Sequence, residues 1–326
     1  MVDAQPRAVS HSWIGALRAQ LIGSRTIGLA LVLVLVCVVF AITAPGFATT
    51  ANLTNIARAS SVFGVAALGI TIAMGAGAID LSFGAVMSLG GIATASALTS
   101  GTSALVAIGI GIGLGAVLGL VNGALVAWLR IDTMVVTLGT MSVFGGIAFF
   151  HTNAQRTSAP GDAFAEFGRG FVLGVPNAVW VLVGVAAVLA FVLRTTVFAQ
   201  TALLIGDNPR AAALTRLPVA RVRTLALVIS GMAAGLAGIL VTANAGLIYP
   251  GTGERFLLPA LAAVVVGGTA LRGGHATIVG TVLGIALLGV IDNGLNLLSV
   301  PGVWQDVARG GILVGALALD SWTRSR

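Results

Sequence analysis

Apolar runs of about twenty residues recur along this chain, each long enough to cross the roughly 30 Å of hydrocarbon in a bilayer. About ten can be read, near residues 27–44, 57–78, 82–99, 103–129, 133–151, 178–197, 222–245, 257–271, 276–297 and 304–321. Few folds are open to such a chain. The sequence predicts an all-α, polytopic membrane bundle: a tail 1–26, a single transmembrane domain 27–321, and a tail 322–326. The run at 257–271 is short and holds Pro259 near its start, the signature of a re-entrant or broken helix.

Composition closes off the alternatives. Only 8% of the residues are Asp, Glu, Lys or Arg, against about 25% in a soluble domain. A surface so poor in charge excludes a soluble enzyme, a disordered chain and a collagen-like repeat. All 17 basic residues are Arg, set against 10 acids for a net charge of +7. They stand singly between apolar runs, so no stripe tracks phosphates and nucleic acid is not an expected partner. With the N-terminus in the cytoplasm, 12 of the 17 fall in cytoplasmic segments, Arg130, Arg194, Arg210, Arg216, Arg221, Arg223 and Arg272 among them. Arg58, Arg156, Arg169 and Arg255 fall outside, and Arg309 lies within the last run. The excess of cytoplasmic arginine predicts both termini inside and an even number of crossings.

Two loops are long. The exterior loop 152–177 carries Asp162, Glu166 and Arg169 among Phe164, Phe167 and Phe171; it is either an element for the membrane surface or a partner, or an ordinary connector. The interior loop 199–221 predicts a short helix Asn208–Leu217. Asn208 supplies its N-cap, Pro209 its first position and Pro218 its stop. A helix placed there between two spans is a docking element for a soluble partner.

The chain's 45 glycines are about twice average usage. Gly111, Gly115, Gly119 and Gly123 repeat at four-residue spacing, as do Gly231 with Gly235 and Gly280 with Gly284. Small residues at that spacing let membrane helices approach closely.

A chain without Lys cannot hold a P-loop, so any ATP must be hydrolysed by a separate subunit. Coupling to an ion gradient would need ionisable groups within spans, and Asp80, Asp292, Asp306 and Arg309 are the candidates. Asp80 stands where two spans meet and serves equally as a helix cap. Asp292, Asn293 and Asn296, with Asn122, suit a path for a polyhydroxylated solute; hydrogen bonding between helices is the rival account. Asp306 and Arg309, three apart on one helix, neutralise each other. His11, His151 and His275 lie in loops or the tail without a Cys or acidic cluster, so no catalytic residue, metal or cofactor is expected. The lone Cys37 has no intrachain disulfide partner.

Four stretches carry a family likeness. Ala78-Ile79-Asp80-Leu81-Ser82-Phe83-Gly84 is similar to G-I-D-L-S-V-G; Asn122-Gly123 with Thr137-Leu138-Gly139-Thr140-Met141 resembles the N-G and T-L-G-T-M elements; Gly206-Asp207-Asn208-Pro209-Arg210-Ala211-Ala212 resembles G-x-N-x-x-A-A; and Gly267–Gly274 is similar to G-G-T-S-L-x-G-G. These are the marks of the membrane permease subunit of sugar-class ABC importers, the ribose, xylose and autoinducer-2 group. The resemblance implies a multi-pass protein of the bacterial inner membrane and a second permease chain, identical or not. It also implies ABC ATPase subunits at the cytoplasmic face and an external solute-binding protein. Gly206, Asn208, Ala211, Ala212, Leu214 and Leu217 would then be the ATPase-coupling residues. Asp80, Asn122, Asp292, Asn293 and Asn296 would serve the pathway of a sugar or similar solute. An ion-coupled secondary transporter is the alternative. The chain departs from the family at Thr215-Arg216, where Ser-Gly is common, and at Pro259.

Overall fold

The computed structural model describes residues 24–324. Among the described residues, seven helices are long and apolar enough to cross a membrane: α1 (Ser24–Thr43), α2 (Thr50–Gly75), α4 (Ala104–Leu129), α5 (Thr133–Thr152), α7 (Asn177–Thr195), α10 (Val219–Ala245) and α12 (Ile278–Leu297). Between them lie α3 (Phe83–Thr99), α6 (Asp162–Arg169), α8 (Val197–Asp207), α9 (Pro209–Leu214), α11 (Leu257–Val266) and α13 (Gly302–Arg324). Two antiparallel pairs of two-residue strands complete the fold: β1 (Thr157–Ser158) with β4 (Leu247–Ile248), and β2 (Phe171–Val172) with β3 (Val175–Pro176). Leu173 and Gly174, both at positive φ, make the tight turn of the second pair.

Helices α2 and α10 form the centre. Every residue of α2 from Ser60 to Gly75 is buried, whereas α1 exposes Leu31, Leu35 and Ile42 along an apolar face suited to lipid. The glycine rows read from the sequence are where helices meet. A Cβ on Gly115 would strike the carbonyl of Gly231, one on Gly119 the carbonyl of Leu227, and one on Gly123 would stand 2.6 Å from Thr224 Cα. Helix α3 joins the same contact, with Gly235 Cα 2.8 Å and the Gly111 carbonyl oxygen 3.3 Å from the Cβ position of Gly90. Gly280 and Gly284 of α12 take the backbone of Gly267 and Ala263. Packing of bare backbone on bare backbone replaces the hydrophobic drive that lipid does not supply.

Several boundaries differ from the sequence reading. Helix α1 is already helical at Ser24, the first described residue, and α2 begins at Thr50, capped by the Thr49 side chain, rather than at 57. Helix α13 is helical through Arg324, the last described residue; residues 1–23 of the assigned N-terminal tail and 325–326 of the C-terminal one lie outside the described residues. The loop 199–221 holds two helices. The sequence missed α8, and the predicted helix Asn208–Leu217 shortens to Pro209–Leu214 because Arg216 turns the chain at φ 60° before Pro218. The loop 152–177 packs on the bundle: Phe164 is buried, Gly168 abuts Ala243, and the Arg169 Nε donates to the Asn244 carbonyl at 2.8 Å. Two apolar runs are interrupted. Residues 76–82 are non-helical before α3, and the chain runs through β4 and a 3-10 turn (Glu254–Phe256) before the ten-residue α11.

Candidate functional site

The four stretches that carry the family likeness are far apart in sequence and meet at one end of the bundle. Helix α2 ends at Gly75, and Gly77 reverses the chain at φ 66°. The Gly75 carbonyl accepts a hydrogen bond from the Gly274 N–H at 3.0 Å. Gly273 lies with its Cβ position 2.7 Å from Gly206 Cα and 2.8 Å from Gly77 Cα. Gly206, near the end of α8, leaves no room for a Cβ against the Gly75 carbonyl. Five glycines of three segments thus share one contact, and Arg223 of α10 reaches it through a hydrogen bond from Nε to the Ala76 carbonyl at 3.4 Å.

Helix α9 hangs directly from this junction. Asn208 caps it as the sequence predicts, its Oδ1 accepting from the Ala211 N–H at 3.0 Å, and Pro209 occupies the first turn. The Thr215 Oγ1 donates back to the Ala212 carbonyl at 2.9 Å, and the Leu217 N–H closes on the same carbonyl at 3.1 Å. The six predicted coupling residues separate into two groups. Asn208, Ala211 and Leu214 are exposed, Leu214 by 86%. Gly206 and Ala212 are buried and Leu217 is half-buried, so these three fasten the helix to the bundle.

A few residues inward, the broken run 76–82 places Asp80 in a closed polar knot. Its Oδ1 accepts from the Ser82 N–H at 3.0 Å and the Ser82 Oγ at 2.7 Å, and its Oδ2 accepts from the Ser230 Oγ at 2.7 Å. The Asn122 Nδ2 donates to the Ser82 Oγ at 2.7 Å. All four residues are fully buried. A carboxylate in such a place is held by its donors, and the knot joins α10, α4 and the start of α3. The Thr137 Oγ1 ties α5 to the same segment through the Ile79 carbonyl at 3.0 Å. The structure thus brings Asp80 and Asn122 together; of their partners, Ser82 stood in the sequence only as part of the Ala78–Gly84 motif, and Ser230 was not singled out because an isolated Ser in an apolar run has no signature of its own.

The remaining predicted pathway residues are at the opposite end. Asn293 and Asn52 exchange side-chain hydrogen bonds at 2.9 Å in both directions. Asn296 accepts from Gln305 at 3.3 Å. Arg309 donates to Asp292 at 2.9 Å and to Asp306 at 2.7 Å, so its charge is shared between two carboxylates rather than spent on Asp306 alone. These bonds link α12 to α2 and α13. No group of His, Cys, Asp and Glu among the described residues is arranged to hold a metal ion.

Residues 52–317 match the family described as branched-chain amino acid transport system / permease component. The L-arabinose ABC transporter permease protein AraH of Azospirillum brasilense is 32% identical over 299 residues, covering 92% of this chain and 88% of that protein. The ribose import permease protein RbsC of Bacillus subtilis (strain 168) is 35% identical over 290 residues, 88% of this chain and 90% of its own. Its namesake in Escherichia coli (strain K12) is 34% identical over 293 residues, 89% and 91% of the two chains. No solved structure matches the chain. The chain that carries these motifs thus belongs to the family of branched-chain amino acid transport system permease components.

Proposed function

We propose that this chain is the permease subunit of an ATP-driven importer of the bacterial inner membrane, moving a sugar or similar polyhydroxylated solute into the cytoplasm by alternating access. The family description speaks of amino acids, but the relatives matched over nearly their whole length bear the names of ribose and arabinose permeases. The sugar reading follows those relatives. The observation that carries the coupling mechanism is the attachment of α9 to the glycine junction. A partner that pushes on Asn208, Ala211 and Leu214 displaces Gly206, and with it the ends of α2 and the 267–274 loop. The partner is an ATPase on a separate chain, since the sequence has no Lys and hence no P-loop. With α9 at the cytoplasmic face, both termini are cytoplasmic, ten crossings are made, and the end holding α6 and the strand pairs receives a solute-binding protein. A second permease chain completes the membrane unit. Of the predicted pathway residues, Asp80 and Asn122 act by holding the inner ends of the pathway helices, and Asp292, Asn293 and Asn296 by closing its outer end.

The alternative, coupling to an ion gradient, has less to draw on. Asp80 is enclosed by three hydrogen bonds and Asp292 is paired with Arg309. The test is uptake of ribose and arabinose into vesicles holding the permease with and without a co-expressed ATPase and binding protein. Uptake that needs the ATPase and ATP is expected; uptake driven by an ion gradient alone overturns the proposal.

A further inference from the structure

Glu254 and Arg255 begin the 3-10 turn ahead of α11, and both are exposed. Two independent registers give their depth. The Gly253 N–H donates to Ser88 Oγ at 2.9 Å, and Gly253 abuts Gly84. On the α10 side of α3, Asp80 pairs with Ser230 and Gly90 with Gly235, which brackets Gly84 near residue 232, the midpoint of α10. From the other side, Ala263 of α11 packs on Gly284 and Gly267 on Gly280. Leu257 lies six residues before Ala263, about 9 Å further along, opposite Val290 and close to the midpoint of α12. The first register sets the Glu254-Arg255 pair level with the midpoint of α10, and the second sets Leu257, where the turn meets α11, within about 4 Å of the midpoint of α12.

Charged groups at that depth do not face lipid; they face protein or water. Among the described residues neither side chain makes an ion pair with another, and the Arg255 guanidinium lies 5.2 Å over the Phe256 ring. The Glu254 carboxylate is 3.8 Å from the Cβ position of Gly145 on α5, and Phe149 is adjacent. On this side α5 exposes Ser142, and Gly139 and Gly146 have open space where a side chain would be.

We propose that this face lines the water-filled solute pathway and that Glu254 and Arg255 are its mid-membrane binding groups for an uncharged polyol. The carboxylate accepts from hydroxyls, the guanidinium donates to them, and Phe149 and Phe256 offer faces to C–H groups. One charge of each sign leaves no net field to favour an anion or a cation. The proposal rests on the importer reading and adds to it which residues the solute meets, with the second permease chain forming the opposite wall.

The lone Cys37 makes the test direct. In a Cys37→Ser background, the complex with ATPase and binding protein is placed in proteoliposomes and treated with a membrane-impermeant methanethiosulfonate. Glu254→Cys and Arg255→Cys are expected to label at least tenfold faster than Leu31→Cys on the lipid face of α1, and ribose is expected to slow them. Glu254→Gln is expected to raise the KM of ribose uptake at least tenfold. Labelling of both variants no faster than Leu31→Cys, while Leu173→Cys outside the bundle labels readily, overturns the proposal. So does an unchanged KM in Glu254→Gln. Uptake by the unsubstituted complex is measured alongside: uptake without ATP sinks the importer reading, whereas intact uptake with unreactive positions 254 and 255 sinks only this assignment.

Discussion

Arg216 holds a backbone conformation that most side chains avoid. Its φ of 60° ends the turn after α9, and the family's common Ser-Gly at this place has a physical reason, since glycine adopts that φ without a steric cost. We predict that Arg216→Gly raises the stability of the purified chain by roughly 0.5–1 kcal/mol, read as a higher thermal unfolding midpoint. A drop in the midpoint would show that the Arg216 side chain makes up the strain. Asp80 offers a second test. Asp80→Ala leaves the Ser82 and Ser230 hydroxyls without their acceptor, at a cost of roughly 1–3 kcal/mol. Asp80→Asn, which keeps one acceptor oxygen, is expected to lose less. The sequence showed where Asp80 and Asn122 were, and the resemblance marked them, but neither revealed that they bind each other through Ser82. Such a bond depends on the azimuth of three helices, and a pattern of apolar runs carries span and depth but not azimuth.

At the scale of elements, helix α9 presents and fastens with different residues. Leu214 stands 86% exposed and Ala212 5%. Leu214→Asp is expected to cut co-purification of the ATPase at least tenfold and leave thermal stability of the permease unchanged, the loss of one interface anchor being about 2 kcal/mol. Ala212→Asp is expected to lower both, because a carboxylate forced into that contact lifts α9 off the bundle. The glycines of α4 supply a matched pair. Gly113 has open space around it, whereas Gly115 meets Gly231. Gly113→Ala therefore gains roughly 0.5–1 kcal/mol of helix propensity, and Gly115→Ala loses roughly 1–3 kcal/mol by overpacking. Equal effects of the two changes on the unfolding midpoint would contradict the packing described here. The four-residue glycine rows were legible as contact faces, but their partners were not. The interrupted runs were legible only in part: Pro259 and the short run flagged a broken helix, whereas Arg255 read as a loop residue because the return of the chain past Ile248 leaves no trace in hydropathy.

Across the whole molecule two groups of contacts stand apart. The glycine junction and the Asp80 knot lie in one half, and Asn52 with Asn293 and Arg309 with its two carboxylates lie at the other end. In the proposed alternating-access cycle the two ends open in turn, so a bond fixed permanently at the Asn52–Asn293 end stops it. With Cys37→Ser as background, joining Asn52→Cys to Asn293→Cys with a short bifunctional thiol reagent is expected to reduce ribose uptake at least tenfold, restored by reductive cleavage of the link. Undiminished uptake would mean that α2 and α12 move together as one body. The glycine junction has a consequence for how such motion is passed on. Side chains absorb a small displacement by changing rotamer. Gly75, Gly77, Gly206, Gly273 and Gly274 have no rotamers to change. On the proposed coupling, a push delivered at α9 passes to α2 by backbone against backbone, and an alanine at any of these places interposes a side chain in that contact.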